Sequence, residues 1–183
     1  MGPINDHLVD PLSDRLTLSS VSRRRAIDTL LWILLDTMIR EVRKTDYPAL
    51  MDIWESAVLN THDFLEREDF LYYKENLPAY FRHADLYGFE QDGRLAGFMG
   101  AAGRNIEMLF VHNDWRGKDI GRKLVTYAIE KLQACKVDVN EQNRQAVGFY
   151  RHMDSTGFSV VSRSGLDAEG KAYPILHLSL IHI

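Results

Sequence analysis

The sequence contains one cysteine, Cys135, among 183 residues, so it can form neither an internal disulfide nor a zinc site built from several cysteines. This scarcity excludes disulfide-rich secreted scaffolds and favours a cytoplasmic location. Positive charge is also in short supply: Lys and Arg number 22 against 26 Asp and Glu, and the longest basic run is residues 23–25. A duplex nucleic acid, whose phosphates must be neutralised, is therefore not an expected partner.

Long hydrophobic runs are absent as well. The longest apolar stretch, within residues 29–37, is closed by Asp36 and is shorter than the roughly 20 residues that a membrane-spanning helix needs. With the basic residues 23–25 in front of it, this stretch resembles a signal peptide. However, Asp28 interrupts the apolar part, and no small-residue cleavage site follows. A strand-like alternation begins at Met38. We therefore predict an N-terminal extension, tag or mis-assigned start over residues 1–37, one folded domain over residues 38–183, and no membrane partner.

The hydrophobic periodicity within that domain predicts an α/β (α+β) fold. The elements follow in the order strand, two helices, three strands, helix, strand, helix, two strands, with an Asp92-Gly93 hairpin turn inside the three-strand meander. The strand at 106–111, the helix at 121–134 and the strand at 137–139 indicate a parallel pair joined by a crossover. Residues 173–180 are expected to form an edge strand that could pair across a homodimer.

The junction between the strand ending at Val111 and the helix that follows carries the most informative chemistry. Residues 109–122 read LFVHNDWRGKDIGR, a strand that passes through a glycine-containing, cationic loop into a helix. Backbone N–H groups at a helix N-terminus lack intrahelical partners and lie at the positive end of the helix dipole. Together with Arg116, Lys118 and Arg122, they form a candidate site for a diphosphate.

This junction resembles the pyrophosphate loop of the GNAT superfamily of N-acetyltransferases, Gln/Arg-x-x-Gly-x-Gly/Ala. A second block, from Val137 through Asn143 to the Phe149-Tyr150 pair, is similar to the strand and helix that follow in that family. Residues 61–65 and 170–174 also resemble a bacterial subgroup assigned to protein-lysine acetylation. The resemblance covers about residues 38–181 and implies a mixed, mostly antiparallel central sheet of about seven strands flanked by about four helices.

The resemblance implies acetyl-CoA as co-substrate, no metal, and direct attack of a primary amine on the thioester. The amine would belong to a small molecule or to a protein lysine. Leu109, Phe110 and Val111 would pair with the pantetheine arm, Asn143 would contact it, and Tyr150 would be the general acid for the departing thiolate. The pyrophosphate would be held by the loop residues Arg116, Gly117, Lys118, Asp119, Ile120, Gly121 and Arg122.

A lysine acceptor also needs a proton acceptor, because an amine of pKa near 10.4 is only about 0.04% neutral at pH 7. Glu107 and Asp138 are the carboxylates best placed to act directly or through water, with Glu107 slightly favoured. His62 and His112 are further candidates, since an imidazole titrates near neutrality. Either carboxylate could equally be an ordinary solvated side chain, because only one base is needed.

Several positions leave alternatives open. Asp119 stands where the family has its first loop glycine, and it could repel phosphate or instead cap the following helix. Asn143 could be only a helix cap, and Tyr150 only a buried, hydrogen-bonded tyrosine. Residues 151–156 form a six-residue segment where family members tend to have three. The alternative functions are a catalytically weak acyl-CoA-binding or sensing module, and a GNAT-like fold that binds no CoA and serves in assembly.

Overall fold

The computed structural model of the chain describes residues 29–30, 37–153 and 157–180. The chain divides into two compact units, Met1–Asp36 and Thr37–Ile183. The predicted extension over residues 1–37 lies outside the described residues, apart from Thr29, Leu30 and Thr37, so its role stays a prediction. None of the helices in the described ranges has the length and apolar character to cross a membrane.

The second unit alternates strands and helices in the order expected from the hydrophobic pattern, so the predicted fold is confirmed. Its strands are β1 (Ile39–Glu41), β2 (Asp85–Gln91), β3 (Arg94–Ala102), β4 (Asn105–Val111), β5 (Lys136–Asn140), β6 (Phe158–Ser164) and β7 (Ile175–Leu180). Its α-helices are α1 (Tyr47–Leu59), α2 (Arg67–Tyr80), α3 (Ile120–Leu132) and α4 (Arg144–Arg151). Short 3-10 turns at Lys44–Asp46 and Asn113–Trp115 precede α1 and α3.

The seven strands form one sheet in the order β1-β2-β3-β4-β5-β7-β6. The pairs are antiparallel except for β4 and β5, which run parallel because α3 connects them as a crossover. The expectation that residues 173–180 form an edge strand is wrong: β7 lies between β5 and β6, so both of its edges are already paired. The outer strands are β1 and β6.

Helices cover both faces of the sheet, and β3 shows how its side chains divide between them. Phe98 packs into a cluster with Leu50, Ile53 and Trp54 of α1, and this cluster extends to Leu77 of α2. The neighbouring Gly97 points the other way, where a Cβ would lie 3.2 Å from the side chain of Ile120 at the start of α3. The alternation follows from the period of a strand, and it places α1 and α2 opposite α3.

β4 contains a bulge and then separates from β5. On its β3 side, Gly100 is opposite Met108 and Ala101 is opposite Ile106, so Glu107 is the extra residue. On its β5 side, the register pairs end at Ile106 and Val137. Within the described residues, the β5-facing edge of β4 beyond Ile106 therefore has no strand partner. This open edge separates two cavities.

Candidate active site

The loop after β4 has the backbone conformation of an anion-binding turn. Gly117 and Asp119 adopt left-handed conformations, with φ values of 73° and 65°. The first backbone hydrogen bond of α3 runs from the N–H of Lys123 to the carbonyl of Asp119, at 3.0 Å. The N–H groups of Ile120 and Gly121, which precede that bond, have no intrahelical acceptor and can bind a ligand.

The three cations of this loop each contact a neighbouring side chain. The Arg116 guanidinium donates to Gln145, the Lys118 ammonium lies 4.1 Å from the centre of the Trp115 ring, and Arg122 Nε lies 3.0 Å from Asp119 Oδ1. The interpretation of Asp119 as a capping side chain is wrong, because it occupies the N-cap position without making a capping hydrogen bond. Its carboxylate pairs with Arg122, and its backbone takes the left-handed φ that glycine adopts most easily.

A cleft of about 370 Å³, here called the loop cleft, runs from these cations along β4 to α4. Leu109, Phe110, Val111 and Asn143 line it, together with Arg116, Gly117, Asp119, Ile120, Gly121, Arg122 and Tyr150. Of the predicted loop residues, Lys118 alone does not line it. The open edge of β4 thus offers backbone hydrogen-bonding groups at one end, and the loop cations and the N–H groups of Ile120 and Gly121 lie at the other.

Asn143 caps α4, as the structural alternative predicted. Its Oδ1 accepts a 3.0 Å hydrogen bond from the N–H of Ala146, and the residue is buried. Its side-chain N–H₂ group has no hydrogen-bond partner among the described residues. The same side chain can therefore hold the helix and still donate into the loop cleft.

Tyr150 is 4% exposed and lines the same cleft. Its ring packs against Phe149 and Phe158, with centroids 5.0 and 5.5 Å away. Burial raises the pKa of its hydroxyl well above the ordinary value, so the group stays protonated at neutral pH. In the described part of the chain the hydroxyl has no hydrogen-bond partner. A purely structural tyrosine would have one, so this geometry favours a role toward a ligand. The six-residue segment that follows falls partly on residues 154–156, outside the described ranges.

On the other side of the open edge lies a cavity of about 550 Å³, here called the aromatic cavity. Its walls include Trp54, Phe64, Tyr73, Tyr80 and Tyr173. Apolar rings of this kind can contact an aliphatic stem. The polar groups among them lie at a few defined points, as is typical of small-molecule sites.

The loop between β6 and β7 closes this cavity by binding α2. Tyr73 donates to Asp167, Tyr80 donates to Glu169 at 2.9 Å, and Lys171 pairs with Asp69. Tyr72 and Tyr173 add hydrogen bonds to Glu169 and Asp69. We call these contacts the tyrosine clasp. Sequence reasoning missed the clasp, because nothing in the pattern of residues 167–171 identified α2 as their partner.

The two predicted carboxylates lie in different places. Glu107, at the bulge of β4, lines the aromatic cavity, and its Oε1 accepts a 2.9 Å hydrogen bond from Asn105. Asp138 lines neither cavity. Its Oδ1 lies 2.7 Å from His177 Nδ1 on the adjacent β7, and His177 Nε2 lies 2.7 Å from Ser164 Oγ. The geometry thus supports a site role for Glu107 and not for Asp138.

The two candidate histidines differ in the same way. His62, just after α1, lines both the loop cleft and the aromatic cavity. Its burial lowers its pKa from 6.5 to about 4, partly offset by the charge of Asp63, so the ring is neutral at pH 7. His112 lines neither cavity, and its Nδ1 accepts a 3.2 Å hydrogen bond from the N–H of Asp114. His112 therefore has a local structural role.

The described residues contain no group of three His, Cys, Asp or Glu side chains that could hold a metal ion. Cys135 is a buried free thiol. The groups present at the two cavities suit acyl chemistry: a strand edge and N–H groups to hold a thioester ligand, a protonated hydroxyl, and a neutral imidazole.

Comparison with known proteins agrees with this chemistry. The acetyltransferase (GNAT) domain family matches residues 59–171. A peptidyl-lysine N-acetyltransferase of Escherichia coli K12, YjaB, is 36% identical over 144 residues, covering 78% of this chain and 96% of the relative. Another, YiaC from the same organism, is 28% identical over 129 residues, covering 68% of this chain and 84% of the relative.

Among solved structures, the apo form of YjaB from Escherichia coli superposes with a TM-score of 0.72 at 36% identity, covering 79% of this chain and 97% of the other. A GNAT-family N-acetyltransferase from Rhodopseudomonas palustris, at 20% identity and a TM-score of 0.60, shares the fold and covers 76% of this chain and 92% of the other. The matched family, the relatives and the geometry of the two cavities agree, and the chain belongs to the GNAT family of N-acetyltransferases.

Proposed function

We propose that this enzyme transfers an acetyl group from acetyl-CoA to the side-chain amine of a protein lysine. The observation that carries the proposal is the open edge of β4, which has the cationic loop cleft on one side and the aromatic cavity on the other. A donor with phosphates and an acceptor with an apolar stem would meet at this edge. The names of the relatives YjaB and YiaC support the lysine acceptor.

The loop cleft fits the donor in shape and charge. The unpaired edge of β4 over Leu109 and Val111 can add the pantetheine arm as if it were another strand. The N–H groups of Ile120 and Gly121, together with the side chains of Arg116 and Arg122, are suited to a diphosphate. Bound acetyl-CoA supplies the activated acetyl thioester.

Two residues of the chain have defined tasks at the thioester end. The N–H₂ group of Asn143 donates a hydrogen bond to the pantetheine arm and so fixes its position. The protonated hydroxyl of Tyr150 donates its proton to the sulfur as the C–S bond breaks.

The aromatic cavity fits the acceptor. Four methylene groups of a lysine stem match rings such as Trp54, Tyr73 and Tyr80, and Glu107 provides a negative charge that attracts the ammonium group.

Acetyl-CoA and reduced thiols belong to the cell interior, so we propose a bacterial cytoplasmic location, consistent with the free thiol of Cys135. A homodimer also stays a proposal. With β7 paired on both edges, its interface would use another surface.

The test begins with isothermal titration of the full chain with acetyl-CoA, with CoA and ATP as reference ligands. Micromolar binding of acetyl-CoA that ATP does not compete for is expected. Acetyl transfer is then measured to an N-terminally blocked peptide with one lysine, and to the same peptide with arginine in its place. Modification of the lysine peptide alone supports the proposal. Binding without transfer to any amine would instead support the acyl-CoA sensing function, which the comparisons disfavour.

A further inference from the structure

His62 lies where the two cavities meet. In the described part of the chain, His62 and Phe110 are the residues that line both the loop cleft and the aromatic cavity. Phe110 is apolar, so His62 is the titratable side chain at this boundary. His62 therefore lies at the boundary that a donor in one cavity and an acceptor in the other would share.

The hydrogen bonds around His62 fix which ring nitrogen carries the proton. Thr61 Oγ lies 2.9 Å from the carbonyl of Ala57, to which only its hydroxyl hydrogen can donate. The same Oγ lies 2.7 Å from His62 Nδ1. Because the hydroxyl has one hydrogen and it is already used, Nδ1–H must be the donor in the second bond. Nε2 is then the nitrogen with a free lone pair.

The ring is also held firmly in place. The His62 N–H donates to the carbonyl of Val58 at 2.9 Å, and the His62 carbonyl accepts from the N–H of Leu65 at 3.0 Å. The ring of Phe64 lies with its centroid 5.2 Å from that of His62. Among the described residues, Nε2 has no hydrogen-bond partner. The chain thus presents a fixed, unpaired proton acceptor at the boundary between the cavities.

We propose that His62 Nε2 accepts the proton of the acceptor amine during acetyl transfer, an inference that rests on the proposed function. An ammonium acceptor first loses one proton to solvent. The amine lone pair then forms the C–N bond while the C–S bond breaks, and its electrons leave with the sulfur. The amine gives a second proton to His62, the sulfur takes one from Tyr150, and solvent returns the proton of His62 to Tyr150.

Glu107 is less suited to this task than sequence reasoning suggested. It lines the aromatic cavity alone, and one of its oxygens is engaged by Asn105. A base must reach the amine at the moment of attack, which happens at the open edge of β4. Glu107 is placed to attract the ammonium group on its way there, and His62 is placed to take its proton.

The test compares the wild-type enzyme with His62→Ala, Thr61→Val and Thr61→Ser on the blocked lysine peptide. His62→Ala is expected to lower kcat by about 100-fold or more while acetyl-CoA binding stays unchanged. Added imidazole should restore part of that kcat by occupying the vacated space. Thr61→Val, which removes the acceptor of Nδ1–H, should lower kcat about 10-fold. Thr61→Ser, which keeps the hydroxyl, should have a kcat close to that of the wild type.

The outcomes separate this proposal from the proposed function. A wild-type enzyme that acetylates no lysine peptide overturns the proposed function and this inference with it. Wild-type turnover with an undiminished kcat in His62→Ala overturns the role of His62 alone. A loss of kcat that imidazole does not reverse, or a loss in Thr61→Ser equal to that in Thr61→Val, also overturns it, because a structural residue would behave in that way.

Discussion

Asp119 Oδ1 and Arg122 Nε lie 3.0 Å apart across the first turn of α3, so the loop that would bind a diphosphate neutralises part of its own charge. Each partner is about half exposed, with side-chain exposures of 58% and 46%. Such a pair is weak and can be exchanged for a stronger ligand. The aspartate therefore acts as an internal competitor for Arg122.

Replacing Asp119 with glycine should strengthen acetyl-CoA binding. The change removes a negative charge from the loop cleft and with it the Asp119 contact of Arg122, while glycine adopts the φ of 65° without strain. We expect the Kd to fall about 5-fold at low salt and less at high salt, because salt screens the repulsion. Isothermal titration at two ionic strengths measures this change.

Asp92→Gly is the matched control for that variant. Asp92 also has a left-handed φ, 53°, but it lies in the turn between β2 and β3 and lines neither cavity. Asp92→Gly should leave the Kd for acetyl-CoA unchanged. Equal affinities of wild type and Asp119→Gly would show that the carboxylate lies away from the bound phosphates.

Tyr150→Phe should impair turnover and spare binding. The variant keeps the ring contacts with Phe149 and Phe158 and removes only the proton donor. We expect kcat to fall about 100-fold with little change in the Kd for acetyl-CoA. Steady-state kinetics and titration together measure the two quantities.

Tyr87→Phe serves as the control, since Tyr87 also loses a hydroxyl but lines neither cavity. It should retain wild-type kcat. If Tyr150→Phe weakens binding and turnover by the same factor, the hydroxyl positions the ligand and is not the acid.

Elements that are determined by neighbouring residues could be predicted from the sequence. Elements that are determined by residues far apart in the chain could not. Asp92 and Gly93 both adopt positive φ in the predicted hairpin turn, because the turn is decided by its own residues. Pro78 lies inside α2, although proline cannot donate the backbone hydrogen bond of a helix. There the burial of Leu77 and packing against α1 offset the lost backbone hydrogen bond.

The site was less accessible to sequence reasoning for the same reason. The cationic loop is contiguous in sequence, so its residues could be named in advance. The bulge that positions Glu107 depends on pairing with β3, and the tyrosine clasp joins residues about 90 to 105 positions apart. The position of His62 at the boundary requires α1, β4 and both cavities to be in place. No local pattern contains that information.

Loosening the tyrosine clasp should weaken acceptor binding selectively. Tyr73→Phe removes the hydrogen bond that the Tyr73 hydroxyl donates to Asp167 Oδ2, whereas Asp167 Oδ1 still accepts from the N–H groups of Glu169 and Lys171 in its own loop. Because this contact holds one wall of the aromatic cavity, we expect the KM for the lysine peptide to rise about 10-fold. The Kd for acetyl-CoA should not change.

Tyr47→Phe is the control for the clasp, because Tyr47 lies at the start of α1 and lines neither cavity. Its kinetics should match the wild type. A Tyr73→Phe enzyme with an unchanged KM for the peptide would place the acceptor outside the aromatic cavity.

His62 should also make the fold sensitive to acid. Its pKa is about 4 in the folded protein and 6.5 as a free side chain, so between these values the unfolded chain binds more protons than the native one. The stabilising contribution is complete above pH 6.5 and is lost as the pH falls through 4. For the wild type the full loss amounts to about 3 kcal/mol of unfolding free energy, at about 1.36 kcal/mol per pKa unit.

His62→Gln cannot take up that proton, so its unfolding free energy should fall less between pH 7 and pH 4.5, as measured by urea denaturation. Any deficit in unfolding free energy that His62→Gln shows against the wild type at pH 7 should therefore shrink or reverse at pH 4.5. Parallel curves for wild type and His62→Gln would mean that the imidazole is already solvated and free to protonate, which would also weaken the case for a neutral proton acceptor at that position.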